Sequence, residues 1–467
     1  MRPAQVAPEA SKAELRRRAR AARLYLGDAE DAILDNQAHT ARALWNLLHE
    51  WYTCRDGGIA KRPPLAEIDR QLREARTNPL PGWEWLALLP AQATQQVLKT
   101  YLNAWDRRYR GVSRRPRFKQ RSRQMAVDVP QASQLKVVRV NRRWGEVSIP
   151  LVGRVRFRWT RGLPGASRNC PGRITGARVV KKPLGWHICF RIEEPALEVP
   201  PNPGAPVGID CGVVHTMALS DGRDFNMPPL LSKGEQRRLR KLEMEAARRR
   251  ASRHAGAGKP GTLMSKRERR SYDQIAKLRA RQTRRRDDWL HKTTTDLAKS
   301  HGLIAVEDLN ITNMTRSARG TLQHPGRNVR AKAGLNRSIL GMAWGRAVWM
   351  LAYKCPDYGG ELTKAPAAYS SQTCAKCGQI AAESRRSRER FCCVACGHTA
   401  PADTNAARVL LQRGLAARSG TASGYGVAGR GALAAGRAVK RQPTVEATVS
   451  ELLDAKGTTA DGHLVRI

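Results

Sequence analysis

The sequence predicts an α+β protein of several domains, in which an antiparallel β-domain carrying a helical lobe precedes a mixed α/β domain. Three observations predict it. Apolar residues recur at helical spacing over residues 29–125 and then alternate from about 126 to 200. Beyond that, Val207-Gly-Ile-Asp210 and Ile304-Ala-Val-Glu307 are apolar runs that each end in a carboxylate, as a buried strand does when it delivers a charge to a sheet edge. Two CxxC pairs, Cys374/Cys377 and Cys393/Cys396, then precede a third acidic segment, Ala402-Asp403-Thr-Asn405.

The helical part comes first. Over 28–51 the spacing of Ala32, Ile33, Ala43, Leu44, Leu47 and Leu48 predicts a helix with its acids early, where they favour the helix dipole. Ala93, Val97, Tyr101, Leu102 and Trp105 predict a second helix over 90–109. The lobe ends in Arg114-Arg-Pro-Arg-Phe-Lys-Gln-Arg121, where Arg114, Arg115, Arg117 and Lys119 are candidate phosphate contacts.

Four segments then read as antiparallel strands: Leu135-Lys-Val-Val-Arg-Val-Asn141, Trp144-Gly-Glu-Val-Ser-Ile149, Arg154-Val-Arg-Phe-Arg-Trp159 and Trp186-His-Ile-Cys-Phe-Arg-Ile192. In the third, Val155, Phe157 and Trp159 face a core while Arg154, Arg156 and Arg158 present a basic outer face, a second candidate nucleic-acid surface. These strands predict a small barrel, closed off by the stiff linker Pro200-Pro-Asn-Pro-Gly204.

After the Asp210 strand, two charged helices are predicted over 233–253 and 266–301, broken by a Gly/Pro-containing stretch into a hairpin. Residues 313–335 read as a mobile basic loop. Helix resumes near Asn336, with Leu340, Trp344, Ala347, Val348 and Leu351 on one face. Residues 415–467 are Gly/Ala/Arg-rich, and a flexible basic tail is expected, with a short helix near 449–455. Gly424-Tyr-Gly-Val-Ala-Gly429 matches GxGxxG, but no strand precedes it and no acid follows at the required distance, so it carries no dinucleotide site.

Charge and cysteines bound the chemistry. The chain has 84 Lys+Arg against 40 Asp+Glu, a formal net charge of +44. A protein this basic repels itself unless a polyanion neutralises it, and phosphate backbones are the implied partner. A histone-like or ribosomal binder would account for the charge equally well, but not for three carboxylate-bearing segments. Each CxxC pair is followed by glycine, which permits the tight turn that aims N–H groups at the sulfurs; the four cysteines form the closed pattern of a structural zinc ribbon. The remaining cysteines are scattered, which suits a reducing compartment. With neither an N-terminal apolar segment nor an apolar run of about 18 residues, a cytoplasmic protein without a membrane span is expected. Asp210, Glu307 and Asp403, brought together, would suit Mg²⁺ or Mn²⁺, and a pair of such ions can clamp both the attacking and leaving oxygens of a phosphodiester.

Gly208-Ile-Asp210-Cys-Gly212, Val306-Glu307-Asp308-Leu-Asn310, Asn336-Arg-Ser-Ile-Leu340, Tyr369-Ser-Ser-Gln-Thr-Cys374 and Ala402-Asp403-Thr-Asn405-Ala-Ala407 together resemble the RuvC-like nuclease of the TnpB transposon-associated proteins and of the compact type V CRISPR effectors. The resemblance runs from about 204 to 412 and extends more loosely over the lobe and the strands before it. It implies an RNase H-like (RuvC) mixed α/β nuclease domain with an inserted zinc ribbon, preceded by a β-barrel wedge domain with an inserted helical recognition lobe. The implied boundaries are 1–28 and 126–203 for the wedge, 29–125 for the lobe, 204–372 and 400–414 for the nuclease, and 373–399 for the ribbon. Position by position, the family's triad falls on Asp210, Glu307 and Asp403, and its zinc ligands on Cys374, Cys377, Cys393 and Cys396. The implied activity is RNA-guided cleavage of double-stranded DNA: a guide RNA pairs with the target strand beside a short flanking motif. Two readings stay open at this level, a guide-dependent binder that silences without cutting and a transposase or resolvase that needs no RNA. Oligomeric state is open too.

Overall fold

The computed structural model describes residues 15–53, 65–120, 125–167, 170–196, 198–255 and 264–419. Arg121, the glycine-rich motif at 424–429, the 449–455 helix and nearly all of the basic tail lie outside the described residues.

A seven-stranded antiparallel sheet is built from β1 (Leu15–Tyr25), β2 (Val127–Val129), β3 (Val137–Arg139), β4 (Trp144–Ile149), β5 (Gly153–Arg158), β6 (Arg173–Lys182) and β7 (Gly185–Pro195), in the order β2-β6-β7-β1-β5-β4-β3. β1 holds it together. Its Leu15 to Arg23 pair with β7, and then Leu24 and Tyr25 pair with β5, so one strand passes between the two halves of the sheet. β2 and β3 are the edges and no ladder joins them among the described residues, so the expected barrel is a sheet whose hydrogen bonding stays open. Side chains that alternate inward, Val147, Val155, Phe157, Ile188 and Phe190, form its buried face.

The helices α1 (Asp28–Thr53), α2 (Leu65–Thr77) and α3 (Ala91–Tyr109) share one apolar core with this sheet. On α1 the buried stripe is Leu34, Ala38, Ala41, Leu44, Trp45 and Leu48; Ala32 faces solvent, so the packed face is rotated from the one its spacing predicts.

The second sheet has β8 (Val207–Asp210), β9 (Met217–Leu219), β10 (Asp224–Phe225), β11 (Leu303–Glu307) and β12 (Glu361–Ala365), in the order β10-β9-β8-β11-β12. β8, β11 and β12 run parallel; β8 and β11 are buried up to their last residues, which is why their sequences are apolar without alternation, whereas β12, at the edge, buries only Ala365. Between β10 and β11 lies the helical hairpin α4 (Lys233–Ala255) and α5 (Lys266–Ser300), joined by a thin seam of Leu242, Ala246, Ile275 and Leu278.

The segment expected to be a mobile loop, 313–335, carries helix at both ends and irregular chain between them. It holds the short helix α6 (Ile311–Met314), then α7 (Val329–Met342), which starts well before Asn336. Lys332 Nζ donates to Met314 O at 2.6 Å and Asn336 Nδ2 to Thr315 O at 3.0 Å, tying the loop to α7. The single helix expected onward from Asn336 is two, because Ala343 adopts a left-handed φ of 57° between α7 and α8 (Trp344–Asp357). Leu340 is accordingly exposed, while Trp344, Ala347 and Leu351 pack. The strands β13 (Arg390–Cys392) and β14 (Thr399–Pro401) form the ribbon's small sheet, and α9 (Ala402–Arg418) packs across β8, β11 and β12. A glycine is required at 208: a Cβ there would stand 2.0 Å from Ala407 O.

Candidate active site

Three chain segments deliver the carboxylates to one place. Asp210 is the last residue of β8 and Glu307 the last of β11, two adjacent parallel strands whose ends coincide at one sheet edge. Asp403 is the second residue of α9, which crosses those strands at the Gly208 contact. All three side chains are half-buried. Asp210 bears the consequence: burial first, then the charges of Glu307 and Asp403, push its carboxyl up to about 7. Burial also raises Glu307, opposed by a hydrogen bond from Ser370 Oγ at 3.0 Å and by the charge of Arg413. The half-buried Cys211 thiol beside Asp210 is driven upward by burial and by the two acids, so it is a neutral neighbour.

Four residues around the carboxylates have roles that sequence reasoning did not assign. Arg385, carried by the ribbon, places a guanidinium nitrogen 3.8 Å from Asp403 Oδ1 and also pulls the Asp210 carboxyl down. Ser370 orients Glu307. Arg413, on α9, donates to Pro366 O (2.7 Å) and Ala368 O (2.8 Å), fixing the chain that leads from β12 to the ribbon. Asn405, fully buried, accepts from Ala375 N at 3.0 Å and donates to Thr373 O at 2.8 Å, so it locks α9 to the first cysteine knuckle. Ser370 and Asn405 do sit inside sequence segments that carry the resemblance; nothing in the sequence separates Arg385 from its neighbours Arg386 and Arg388.

The four cysteines form a second centre. Cys374, Cys377, Cys393 and Cys396 have ligand atoms all within 4.8 Å of one another, the one such group among the described residues. Sγ–Sγ separations of 3.7 Å (Cys374–Cys396) and 3.6 Å (Cys377–Cys393) match the roughly 3.8 Å edge of a tetrahedron with metal–sulfur bonds of about 2.3 Å. The glycines act as their positions require: Gly378 (φ 76°) and Gly397 (φ 68°) turn back so that their N–H groups reach Cys374 O and Cys393 O. Backbone N–H groups, first that of Cys396, draw the Cys393 thiol down, favouring the thiolate that binds metal. Cys392 stays outside the cluster, with its sulfur accepting from Thr399 Oγ1.

The candidate phosphate contacts lie elsewhere. Arg154 and Arg156 project from the β5 face, but both approach Glu146, at 4.0 and 3.2 Å, and Arg158 covers the Trp144 ring. Arg114, Arg115 and Arg117 are exposed on a strap against the lobe; Lys119 is half-buried there, with its ammonium 4.4 Å from the Trp45 ring centre. Neither group is drawn into the carboxylate site.

Comparison with known proteins decides the family. InsQ of Escherichia coli K12, which carries the name of an RNA-guided DNA endonuclease, is 35% identical over 363 residues, covering 77% of this chain and 81% of InsQ. The chain belongs to the TnpB family. A Streptomyces pristinaespiralis protein named in the same way is 27% identical over 399 residues, covering 85% of this chain and 89% of that one. The family model described as a probable transposase of the IS605 OrfB type matches 187–318, and the Cas12f1-like TNB domain model matches 344–410. Within this TnpB-family chain the first match contains Asp210 and Glu307, and the second contains the four cysteines and Asp403. The cryo-EM structure of a Cas12f1–sgRNA–target DNA complex aligns over 83% of both chains with a TM-score of 0.45 and 16% identity. Among the described residues, no helix is long and apolar enough to cross a membrane.

Proposed function

We propose that this chain is an RNA-guided DNA endonuclease whose hydrolytic centre is Asp210, Glu307 and Asp403. The reading of the centre rests on one observation: two adjacent strand ends and one helix start place Glu307 and Asp403 near enough to Asp210 that their charges, added to the larger effect of burial, push its carboxyl up to about 7. Such a set, oxygen donors only and in mutual repulsion, fits divalent Mg²⁺ or Mn²⁺. Bound there, the ion would supply Lewis-acid polarisation of the phosphodiester and an activated water.

The chain's own residues supply the rest. Asp210, coupled to both neighbours, is the central donor; Glu307 and Asp403 complete the set. Ser370 fixes the orientation of Glu307 through its hydroxyl. Arg385 holds a guanidinium beside the carboxylates, and that group suits a phosphate as well as it suits Asp403. The four cysteines would hold a structural zinc, a closed set with no position left for substrate. In this reading β8–β12 with α9 is the RNase H-like (RuvC) nuclease, β1–β7 the wedge, and α1–α3 the recognition lobe that receives the guide RNA and target duplex. One centre serves both DNA strands, so they are cut in sequence.

The test uses the protein purified with its RNA and a duplex matched to that RNA. Asp210→Ala should abolish cleavage in Mg²⁺ while guided binding in a gel-shift assay stays within about twofold, because a metal donor and not a channel contact is lost. A variant that cuts at the wild-type rate removes Asp210 from the centre. Wild-type protein that binds the matched duplex but never cuts it is a silencing protein, and site-specific cutting after RNA is stripped away indicates an RNA-independent transposase or resolvase.

A further inference from the structure

The C-terminal end of α3 carries a built site that the nuclease reading does not use. Trp105 and Tyr109, one helical turn apart, are stacked with ring centres 5.8 Å apart and planes within 26°. Trp105 is only 9% exposed and is anchored by Nε1 donating to Tyr101 Oη at 2.7 Å; Tyr109 is 65% exposed. Just past the helix, Gly111 (φ 70°) reverses the chain, and Val112 N and Ser113 N bond to Arg107 O. The returning strap is pinned to α1: Trp45 Nε1 donates to Arg117 O at 3.1 Å, and Asn46 pairs with the backbone of Lys119 in both directions. This brings the Arg115 guanidinium over the Trp105 ring, 5.7 Å from its centre. Trp105, Arg108, Tyr109 and Arg115 line a pocket of about 360 Å³.

The lining selects its ligand. Two near-parallel rings offer a π-face, and two guanidinium groups offer planar cations that stack on rings or fork onto phosphate oxygens. No carboxylate pairs with Arg108 or Arg115 among the described residues, whereas the adjacent Arg110 is neutralised by Asp106 at 3.0 Å. A planar, anionic ligand of nucleotide size meets all of these conditions, and the volume is within the range of small-ligand sites.

We propose that this pocket stacks one unpaired nucleobase of the guide RNA on Tyr109, with its flanking phosphates on Arg108 and Arg115. The proposal rests on the RNA-guided reading. Guide RNA is favoured over displaced DNA because the lobe shares its core with the seven-stranded sheet and not with the sheet that bears the carboxylates. A strand displaced for cutting belongs at the latter, and the guide is single-stranded over its targeting segment before any DNA arrives.

The experiment uses the full-length protein with its copurified RNA. Ultraviolet crosslinking followed by mass spectrometry should place a nucleotide adduct on Trp105 or Tyr109 in the absence of DNA. Tyr109→Ala and Tyr109→Leu should weaken guide-RNA binding about tenfold with an unchanged salt slope, because stacking releases no counterions. Tyr109→Phe should bind as wild type, and Arg115→Gln should lower the slope by about one phosphate contact. An adduct that forms only after target DNA is added, or Tyr109→Leu binding RNA at wild-type strength, overturns the proposal. Protein that binds no RNA at all overturns the RNA-guided reading itself, so the two failures are distinguishable.

Discussion

Replacing Asp210 with asparagine should make the metal-free protein more stable while it destroys cleavage. The carboxyl is pushed from 3.8 up to about 7 by burial and by Glu307 and Asp403. An acid whose folded pKa is raised binds its proton more tightly in the folded state, so its stabilising contribution is intact below pH 3.8 and lost as pH rises through about 7. The roughly three pH units between those values correspond to about 4 kcal/mol at full weight. Asp210 is half-buried, and solvent screening reduces the cost to about 1–2 kcal/mol. At pH 8 in excess EDTA, Asp210→Asn should therefore melt about 3–6 °C above wild type. At pH 5, where the unfolded carboxyl has already lost its proton but the folded one keeps it, the gap should narrow to about a third, and it should close only below pH 3.8. Adding Mg²⁺ should raise the wild-type melting temperature more than that of the variant, reversing the order. Differential scanning fluorimetry across this grid is sufficient. Equal or lower stability of Asp210→Asn at pH 8 without metal, with no dependence on pH, would refute the claim that these three acids form one repulsive cluster.

Other outcomes follow from the same geometry. Cys377→Ser should lower soluble yield and zinc content together, measured by plasma emission spectrometry, whereas Cys392→Ser, outside the cluster, should change neither. Arg385→Ala should tighten divalent-ion binding a few-fold by calorimetry, since it removes the cation nearest Asp403, and should leave zinc content unchanged; weaker ion binding would contradict that placement. Lys354, whose ammonium donates to His291 O, Thr294 Oγ1 and Thr295 Oγ1, is pulled down to about 8 by burial and then by Arg161. A folded pKa below the unfolded 10.5 means the penalty is present below pH 8 and relieved between 8 and 10.5, so wild-type stability should rise over that window and Lys354→Met should lose the rise.

What the sequence made legible was whatever local pattern encodes. β8 and β11 are short, fully apolar and capped by acids, and the knuckles are spelled by four cysteines and two glycines. Other elements hide for physical reasons. β1 reads as a basic tail because arginines fill most of its inward positions as well: Arg16, Arg18 and Arg20 are half-buried there and paired with Asp357 and Glu194, and only Ala22 and Leu24 are deeply buried. β6 loses its period of two at the register shift between Ile174 and Gly176. α2 is short and otherwise charged, and it buries just Ile68 and Leu72. The α7–α8 break depends on Ala343 holding a conformation that alanine does not advertise. The partners of the carboxylates were invisible for a further reason. Arg385 and Arg413 act across the fold, and a chain with 84 Lys+Arg gives no local reason to choose either.

The position of the ribbon between β12 and α9 has a mechanical consequence. Cys374, Phe391, Cys393 and Ala402 form one small buried cluster, so the residue before Asp403 is part of the ribbon's own core. Ala402 N donates to Glu389 O at 2.9 Å, and Asn405 bonds both sides of the Thr373–Cys374 peptide region. The N-terminus of α9 is thus held by the ribbon on one side and by the Gly208 contact with β8 on the other. The strand contact bears on the depth of the helix, and the ribbon on where its first turn begins. On the proposed reading, a four-cysteine site that takes no part in the reaction therefore still helps fix Asp403 against Asp210, and through Arg385 it also bears on the charge beside them. Loss of zinc should act on cleavage through that helix start, as a loss of carboxylate geometry.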